Sequence, residues 1–395
     1  MEVFGNIVVY IIMICAIIGA IASIIKDESE LGNQFIEGLN SIGAIFLPVA
    51  GIMAASPYLT KIVANIFGPI FSLVGADPAM AATTFIAVDM GGYQLAEALA
   101  STKESWIMAM MTGYMAGATI VFSIPVALKM LQVEDRKYLA LGIMSGFISI
   151  PIGVLISSLI IAFTNPVIRE TISTNADATY QLALSFGTIF QNLVPLVIIC
   201  VLIALGLLVI PNKMIQGFNI FGKGLDSILR IVVVLCIVEY FTGIFSNVFG
   251  IWGFEPILAD ETDINRALEV SGAIGMMLCG AFPMVYLIRK YLAKPLNIIG
   301  TKVGLSQDAT TGILAGAANA LALFAIIKDM KPEDKVKTLA FSVCGAFLFG
   351  DHLAFTANYQ PTLILPVLIG KFIAAILAVI IASKLIVPRM NKLTK

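Results

Sequence analysis

Ionisable side chains are rare in the apolar stretches of this chain, and those that occur there need a chemical explanation. FLFGDHLAF, from Phe347 to Phe355, holds an aspartate beside the only histidine of the chain, and FIAVDMGGYQLAEAL, from Phe85 to Leu99, holds another aspartate. An Asp at the centre of a membrane helix costs about 2.5–3.5 kcal/mol on insertion scales, so it normally lines a cavity or pairs with another charge. Asp89, Asp351 and His352 are therefore candidates for binding a small cation.

Asp89 is followed almost at once by Gly91 and Gly92. Adjacent glycines weaken a helix and let its backbone unwind, which frees carbonyl and N–H groups for a ligand where a cavity is available. No basic residue lies near Asp89 in its own segment. We therefore expect this carboxylate and the open backbone to bind a cation. The structural alternative is a kink in which Asp89 hydrogen-bonds to a neighbouring helix.

Asp351 has a basic residue at a matching distance beyond the next turn. Lys371 lies about as far after Tyr359 as Asp351 lies before it, so an antiparallel neighbour would bring the two charges together. A structural ion pair is nearly as well supported here as a role in binding. His352 would tune that pair, relay a proton or bond to a backbone carbonyl.

Other polar and aromatic residues in apolar surroundings complete the candidate site. Tyr93 offers a cation–π face, although aromatic residues in bundles are usually packed. Taken singly, Asn192 and Asn319 fit better as groups that hydrogen-bond between helices. The substrate-binding candidates are Asp89, Gly91, Gly92, Tyr93, Ser123, Asn319, Asp351 and His352, and the supporting or gating candidates are Glu97, Asn192, Glu239 and Lys371.

The amino-acid composition indicates which class of protein contains these candidate side chains. The chain has 395 residues, of which 59% are hydrophobic and 12% charged, and its mean hydropathy is +0.97. Apolar runs of roughly 20 residues, the length of a membrane helix, recur from end to end. The sequence therefore predicts an all-α polytopic membrane protein with about 9 to 13 transmembrane helices, including broken or re-entrant ones.

Several classes of chemistry are disfavoured. The single histidine excludes a multi-histidine metal centre, and the five cysteines lie in apolar runs without C-x-x-C spacing. We find no phosphate-binding loop and no soluble segment long enough for ATP hydrolysis, so we expect no cofactor and no metal. The net charge of -1 gives no indication of a nucleic-acid partner. The remaining possibility is transport of a solute, either passively down its own gradient or driven by an ion gradient.

Loop charges predict the topology. Basic residues occur in VEDRK, in RKYLAKP, in the loop from Lys331 to Lys337 and in the C-terminal tail, and the positive-inside rule places such loops in the cytoplasm. They lie on one side only if Tyr58–Ala100 and Tyr291–Lys328 cross the membrane an even number of times, as hairpins or pairs of short helices. The loop that starts at Thr164 is predicted to be external.

An internal repeat organises the chain. Gly43 aligns with Gly272, Gly51 with Gly280 and Gly75 with Gly304 at one fixed separation. We predict two transmembrane repeats of inverted topology, residues 1–163 and 228–395. They are joined by residues 164–227, which hold an external loop, a linking transmembrane helix and a cytoplasmic loop. Inverted repeats are typical of secondary transporters whose site lies near the membrane midplane.

Three segments resemble a known family. VDMGGYQLAEAL, TIVFSIPVAL and GDHLAF are similar to the ethanolamine permeases encoded in bacterial ethanolamine-utilisation operons, and the resemblance runs from about NQFIEG at Asn33 to the tail. It implies import of ethanolamine into the cytoplasm through the plasma (inner) membrane, by alternating access or facilitated diffusion, and no enzymatic activity. Shared positions, without assigned roles, are Asp89, Gly91, Gly92, Glu97, Ser123, Pro125, Asn192, Asn319, Gly350, Asp351, His352 and Lys371.

Ethanolamine fits the candidate residues. Its amine, like that of lysine with a pKa of ~10.4, is mostly a cation at neutral pH and cannot cross lipid unaided. We expect Asp89 to bind the ammonium, and Asn319, Asp351 or His352 to bind the hydroxyl or help gate. A channel for amines or ammonia, and an ion-coupled transporter of another small organic cation, are the alternatives. Coupling to a proton or a sodium ion and assembly into a homo-oligomer stay open, and membrane lipids are the expected surroundings.

An intramembrane aspartyl protease would also use two aspartates. The pattern before Asp351 is L-F-G-D rather than the G-x-G-D of such enzymes, and a protease would leave the repeat unexplained. We therefore disfavour this reading.

Overall fold

Helices make up nearly all of the regular structure. The structure, a computed structural model, describes residues 2–26, 28–250, 252–254, 266–302 and 304–393. The ends of the predicted repeats at residues 1 and 395 lie outside the described residues, and the predicted boundary at residue 228 falls inside a helix. The α-helices are α1 (Glu2–Ile25), α2 (Glu30–Ile66), α3 (Gly68–Ser72), α4 (Ala79–Phe85), α5 (Gly92–Leu99), α6 (Lys103–Thr112), α7 (Ile124–Met130), α8 (Arg136–Thr164), α9 (Phe186–Val209), α10 (Pro211–Thr242), α11 (Ile244–Phe249), α12 (Arg266–Lys302), α13 (Gln307–Ala318), α14 (Ala320–Ile326), α15 (Pro332–Gly345), α16 (Asp351–Tyr359), α17 (Ile364–Ile381) and α18 (Met390–Leu393).

Shorter elements interrupt or extend these helices. The 3₁₀ turns are Val88–Met90, Val133–Asp135, Ile327–Asp329, Pro361–Leu363 and Val387–Arg389, and the π-helical turns are Gly113–Gly117, Thr119–Ser123 and Ala382–Ile386. Strands β1 (Val167–Ile168) and β2 (Tyr180–Gln181) form a small antiparallel ladder with Val167 opposite Gln181. This ladder lies in the loop that the sequence predicts to be external.

Seven helical segments of the described chain are long and apolar enough to cross a membrane. They are Glu2–Ile25, Glu30–Ile66, Lys103–Met130, Val133–Thr164, Phe186–Val209, Arg266–Ile298 and Pro361–Arg389. The protein is therefore a multi-pass membrane protein with an all-α fold, as predicted. Helix α10 is not among the seven, and it ends at Thr242, before Gly243 in the left-handed conformation.

Two long helices, α2 and α12, pack along each other. Each has 37 residues and two internal prolines, Pro48 and Pro57 in α2 and Pro283 and Pro295 in α12. A Cβ atom at Gly38 would clash with the backbone of α12 at Cys279. The two backbones therefore approach closely, which is how small residues stabilise helix pairs in membranes.

A second group of helices packs around α8. In this group α8 contacts α9, α15 and α17, and Gly142 and Gly146 of α8 lie against Leu339 and Val343 of α15. A buried ion pair with a Nζ–Oδ1 distance of 2.6 Å joins Lys335, at the start of α15, to Asp135. The loop before α8 and the loop before α15, both predicted to be cytoplasmic, therefore meet at one end of the bundle.

Hairpin one consists of α4, a turn at 86–91 and α5. Asp77 joins the two ends of this hairpin: its Oδ1 accepts from Ala79 N at 2.9 Å and its Oδ2 accepts from Ser101 N at 2.9 Å. Because Asp77, shortly before α4, bonds to Ser101, shortly after α5, the chain enters and leaves the hairpin at the same end. The segment from Tyr58 to Ala100 thus contains a pair of short helices, as the sequence predicted.

Hairpin two consists of α13, a break at Asn319 and α14. The backbone of Asn319 is extended, with φ -152° and ψ 125°. Leu323 of α14 packs back against Gly316 and Gly312 of α13, so the two helices are antiparallel. Lys337, one turn into α15, donates to the carbonyl oxygen of Gly304 at 2.9 Å, which places the base of hairpin two beside the start of α15.

Candidate functional site

The turn of hairpin one presents Asp89. Ile86 and Ala87 are extended, Val88–Met90 form a 3₁₀ turn, and Gly91 has a φ of 92°. A side chain at Gly91 would be strained in this left-handed conformation and would lie 2.5 Å from Cβ of Ile52. The glycine is therefore required for the turn that places Asp89 at the tip.

Two interrupted helices meet the tips of the hairpins. The helix that begins with α6 passes through π-helical turns at 113–123 before it continues as α7. The helix α15 ends at Gly345, and an irregular turn at 346–350 leads into α16, whose first residue is Asp351. Both interruptions place side chains in the lining of the same cavity as the hairpin tips.

The hairpin tips and the interrupted helices enclose a cavity of about 220 Å³, here called the central cavity. Asp89, Asn319, Asp351 and His352, four residues singled out in the sequence, line this cavity together. Glu37, Asn40 and Ser41 of α2 extend its polar lining to one end. Its aromatic lining consists of Phe122, Phe282 and Phe347.

Several polar atoms of the central cavity have no hydrogen bond within the described part of the chain. They are Oδ1 of Asp89 and both ring nitrogens of His352, all of them buried. Nε2 of His352 lies 3.9 Å from Oδ1 of Asp89, which is too far for a direct hydrogen bond. Buried polar groups are normally paired, so these atoms mark the place where a polar ligand would complete the site.

Asn319 and Asp351 complete the polar wall. The side-chain oxygen of Asn319 caps α14 by accepting from Leu321 N at 2.9 Å, which fixes the direction of the amide. Asp351 lies at the first position of α16, where the helix dipole favours a carboxylate. Because Asp89 and Asp351 line the same cavity, their ionised carboxylates repel each other, and a cation or a proton bound there relieves the repulsion.

Lys371 lies behind this wall and is fully buried. Its ammonium donates to the carbonyl oxygen of Tyr114 at 2.9 Å, within the π-helical turn. The ion pair between Lys371 and Asp351 that the sequence suggested is therefore not the contact that Lys371 makes. The ring of Tyr114 lies 4.8 Å from the ring of His352, so Lys371 supports the site through Tyr114.

Four predicted binding residues do not line the central cavity. Gly91 and Gly92 shape the turn, since a Cβ at Gly92 would lie 2.5 Å from the carbonyl oxygen of Ala87. Tyr93 is buried and stacks on Trp106 with ring centroids 4.6 Å apart. Ser123 is buried one residue beyond Phe122.

Three predicted supporting residues also lie away from the cavity. Asn192 accepts from the backbone N–H of Asp77 at 2.8 Å and so holds the base of hairpin one. Glu97 pairs with Lys103 at 3.4 Å near that base. Glu239 accepts from Phe245 N at 2.9 Å, in the turn between α10 and α11.

A layer of packed aromatic side chains lies behind His352. Phe355 packs on Tyr93 and Tyr359 with ring centroids 5.4 and 4.7 Å apart, and on Tyr114 at 6.3 Å. All four of these rings are buried. They form a packed layer between the site and the loop that contains β1 and β2.

That loop is fastened over the aromatic layer. The guanidinium of Arg169 donates to the carbonyl oxygen of Asn358, and its backbone N–H donates to Oε1 of Gln360 at 3.0 Å. Gln360 in turn donates to the hydroxyl of Tyr93 at 2.9 Å. Desolvation lowers the pKa of Arg169 from its usual value. The loop therefore connects α16 to hairpin one.

The opposite end of the cavity follows α2 towards its first turn. Glu37 and Asn40 are exposed there. Glu30, at the start of α2, accepts from the hydroxyl of Tyr286 at 2.8 Å, and Lys290 lies 5.7 Å over the ring of Tyr286. The cavity thus opens towards the end of the bundle that holds the basic segment RKYLAKP.

Part of the lining could not be recognised from the sequence. Phe347 and Phe282 are aromatic residues in apolar runs, where an aromatic is usually packed, and nothing in the sequence marks them. Glu37 had a signal, because it is a carboxylate two turns into a long apolar helix. Among the described residues, no group of three His, Cys, Asp or Glu side chains is close enough to hold a metal ion.

The chain is similar to one protein family over almost its full length. Residues 4–385 match the family model described as ethanolamine utilisation protein, EutH. A relative from Listeria monocytogenes, named a probable ethanolamine permease EutH, is 39% identical over 95% of this chain and 92% of its own length. The relative of the same name from Salmonella typhimurium is 35% identical over 97% of this chain and 95% of its own length.

A further relative, the Bacillus subtilis protein YxeR, is 32% identical over 95% of this chain and 93% of its own length. No solved structure matches the chain. The predicted resemblance is confirmed by the family match and by the extent of the shared sequence. The chain belongs to the EutH family of ethanolamine utilisation proteins.

Proposed function

We propose that this protein is a transporter, not an enzyme, that carries ethanolamine across the bacterial plasma membrane into the cytoplasm. The observation that carries the proposal is Asp89, whose buried Oδ1 has no hydrogen-bond partner in the described chain and faces His352 across the central cavity. A carboxylate held in this way favours a cation that can also donate hydrogen bonds. The names of the relatives from Listeria and Salmonella support ethanolamine as that cation.

The proposed binding mode uses both ends of ethanolamine. Its ammonium binds between Asp89 and Asp351, where the positive charge offsets the repulsion between two carboxylates. Its hydroxyl, which can donate and accept, bonds to His352 or to the amide of Asn319. The aromatic rings around the cavity exclude water, which strengthens these charge-assisted bonds.

We propose two inverted repeats, residues 1–163 and 228–395, linked by residues 164–227. Helices α6 and α15 begin at the separation that relates Gly75 to Gly304, and both glycines have a positive φ. The base of hairpin one lies beside the loop predicted to be external, because Lys103 donates to the carbonyl oxygen of Glu170. The base of hairpin two lies beside loops predicted to be cytoplasmic. The two hairpins would then enter from opposite sides, as inverted repeats require.

This arrangement raises the proposed number of membrane segments above seven. Helix α10 pairs with α1 in the repeat, and the two hairpins are re-entrant segments. With these added to the seven long helices, the total falls within the predicted 9 to 13. Non-helical backbone at the hairpin tips is tolerated at membrane depth because it is buried in protein and lines a cavity.

We propose that the observed conformation is open to the cytoplasm. The aromatic layer and Arg169 close the external end, whereas the exposed residues of α2 lead to the end rich in Lys and Arg. One-sided access favours a carrier that alternates between two states over a channel, which needs a continuous path. Counterflow discriminates between the two, since preloaded ethanolamine accelerates uptake by a carrier and not by a channel.

Uptake of labelled ethanolamine by proteoliposomes tests the proposed function. The Asp89→Asn variant should lose roughly 10- to 100-fold in kcat/KM, because a hydrogen bond to a charged group contributes about 1.5–3 kcal/mol. Asp226→Asn is the matched control, since Asp226 is an exposed carboxylate paired with Arg230 at 3.0 Å, far along the chain from the cavity. Normal uptake by Asp89→Asn would refute the assignment.

The same assay addresses coupling. Uptake measured at controlled pH and sodium concentration, with and without a membrane potential, separates a passive carrier from one coupled to protons or to sodium. We expect the potential alone to drive accumulation of a cation if no other ion is coupled.

A further inference from the structure

Phe347 adopts a backbone conformation that phenylalanine rarely adopts. Its φ is 58°, in the left-handed region, and Asn165 is the other non-glycine residue with a positive φ in the described chain. Asn165 ends helix α8 and is of a type that tolerates this region. A bulky aromatic residue does not, and such conformations persist only where the surrounding structure holds them, often at ligand sites.

Hydrogen bonds hold Phe347 in this conformation. Its N–H donates to the carbonyl oxygen of Gly316 at 3.2 Å, and Phe349 N donates to that of Ala317 at 2.9 Å, so this short segment pairs with the end of α13. The carbonyl oxygen of Phe347 accepts from His352 N at 3.3 Å. The residue is therefore fixed between hairpin two and the start of α16.

The ring of Phe347 lies in the wall of the central cavity that also contains Asp351. It is 4% exposed and is held on two sides. The ring of Phe122 meets it edge to face with centroids 5.5 Å apart, and the ring of His352 lies 5.4 Å away. Because both neighbours are themselves packed, the ring is a rigid wall rather than a mobile one.

The sequence around Phe347 indicates that the ring itself is what this position requires. Glycine would adopt the observed φ without strain, and glycines occur nearby at Gly345 and Gly350. At position 347, however, the chain has a large side chain that lines the cavity instead of the residue that the backbone favours.

We infer that Phe347 is a specificity-determining residue that limits the space beside the carboxylates to a small primary ammonium group and excludes N-methylated amines. This inference rests on the proposed function and names a determinant of its substrate class. Each added methyl group on the nitrogen replaces a hydrogen-bond donor and needs room that the ring occupies.

Competition in the proteoliposome assay tests the inference. The competitors are N-methylethanolamine, N,N-dimethylethanolamine and choline, and the readout is the ratio of each inhibition constant to the KM for ethanolamine. The wild-type protein should discriminate against the methylated amines. Phe347→Gly should lower the ratio by roughly tenfold or more, since hydrophobic pocket differences of about one methyl group change specificity by 10- to 200-fold.

Phe347→Asn is the second variant, because asparagine tolerates a positive φ and is much smaller than phenylalanine. Phe347→Asn should also lower the ratio of each inhibition constant to the KM for ethanolamine. It allows the inference to be tested even if Phe347→Gly does not fold. Phe147→Ala is the matched control: Phe147 is fully buried, stacks on Phe218 with centroids 6.4 Å apart and does not line the cavity. It should reduce the amount of folded protein and leave the ratio unchanged.

The outcomes distinguish the two proposals. If the wild-type protein takes up no ethanolamine, the proposed function fails. If the wild-type protein takes up ethanolamine and both Phe347 variants keep the wild-type ratio, the inference about Phe347 is overturned while the transport function stands.

Discussion

Asp89 and His352 face each other at 3.9 Å, a distance that a bound ligand can bridge and a direct hydrogen bond cannot. Leaving a buried polar group unpaired costs about 1–3 kcal/mol. A site with such unpaired polar atoms is therefore less stable than a fully paired one, and ligand binding recovers part of that free energy. This trade between stability and binding is expected where a site is prepared for a ligand.

Substitution of His352 tests that trade directly. His352→Phe retains a ring against Tyr114 and Phe347 but removes two buried nitrogens that have no partner in the described chain. We expect the thermal unfolding midpoint in detergent to stay the same or rise, and the KM for ethanolamine uptake to increase several-fold. A lower midpoint with an unchanged KM would show that the imidazole is structural.

The residues of the central cavity were only partly predictable from the sequence. Asp89, Asp351 and His352 were found because a charged or polar group in an apolar run has few explanations. Phe347 was not found, because its positive φ is a property of the folded turn and its residue type is common in membrane helices. Polarity is visible in a sequence, whereas backbone strain is not.

Hairpin one depends on its base as much as on its tip. Asp77 is buried there, and both of its carboxylate oxygens accept backbone N–H groups while Asn192 binds its own N–H. The bond to Ala79 satisfies an N–H that the first turn of α4 leaves without a helical partner, and the bond to Ser101 ties the end of the hairpin to its start. The position of Asp89 therefore follows from contacts at the far end of the hairpin.

Asp77→Ala should consequently impair transport without touching the cavity. Loss of two backbone hydrogen bonds to a buried charged group should lower the free energy of unfolding by about 3–6 kcal/mol. We expect a reduced unfolding midpoint in detergent and reduced ethanolamine uptake per folded molecule. Asp226→Ala removes an exposed carboxylate and should change neither, and equal behaviour of the two variants would contradict the role given to Asp77.

The arrangement of helical elements was predicted better by the charges of the loops than by the types of individual polar residues. The short-helix pairs were expected because basic loops had to lie on one side of the membrane. By contrast, the sequence could not place Asn192, Glu97 and Glu239, because the direction in which a polar residue faces depends on how its helix is rotated in the bundle. Asn192 supports the base of hairpin one, and the carboxylates of Glu97 and Glu239 lie outside the central cavity.

In the proposed conformation, the molecule has one open and one closed end. The closed end has the aromatic layer and the loop fastened by Arg169, and the open end has Glu37, Asn40 and Ser41 of α2. The buried ion pair of Lys335 and Asp135 joins the loop before α15 to the loop before α8, and the charge pattern places both loops in the cytoplasm. In that orientation, the central cavity is reached from inside the cell.

Cysteine labelling tests the direction of access. All five native cysteines are buried, so Ser41→Cys adds a thiol at the cavity mouth against a low background. A membrane-impermeant maleimide should label it in inside-out vesicles and not in right-side-out vesicles, and ethanolamine should slow the labelling. Ser227→Cys, on the exposed surface of α10, should label from the same side without protection by ethanolamine.

The opposite pattern would be informative. If Ser41→Cys reacts only in right-side-out vesicles, the cavity opens outwards and the orientation derived from the loop charges is wrong. If ethanolamine protects both cysteines equally, the protection does not arise from occupation of the cavity.

The central claim is that the carboxylate of Asp89 binds the ammonium of ethanolamine, and equilibrium binding to the purified protein tests it without the complications of transport. Calorimetric titration should give one ethanolamine site in the wild-type protein and in Asp226→Asn, with equal Kd. Asp89→Asn should bind roughly 10- to 100-fold more weakly, in line with the loss of a charge-assisted hydrogen bond. A Kd for Asp89→Asn equal to that of the wild-type protein would contradict the account.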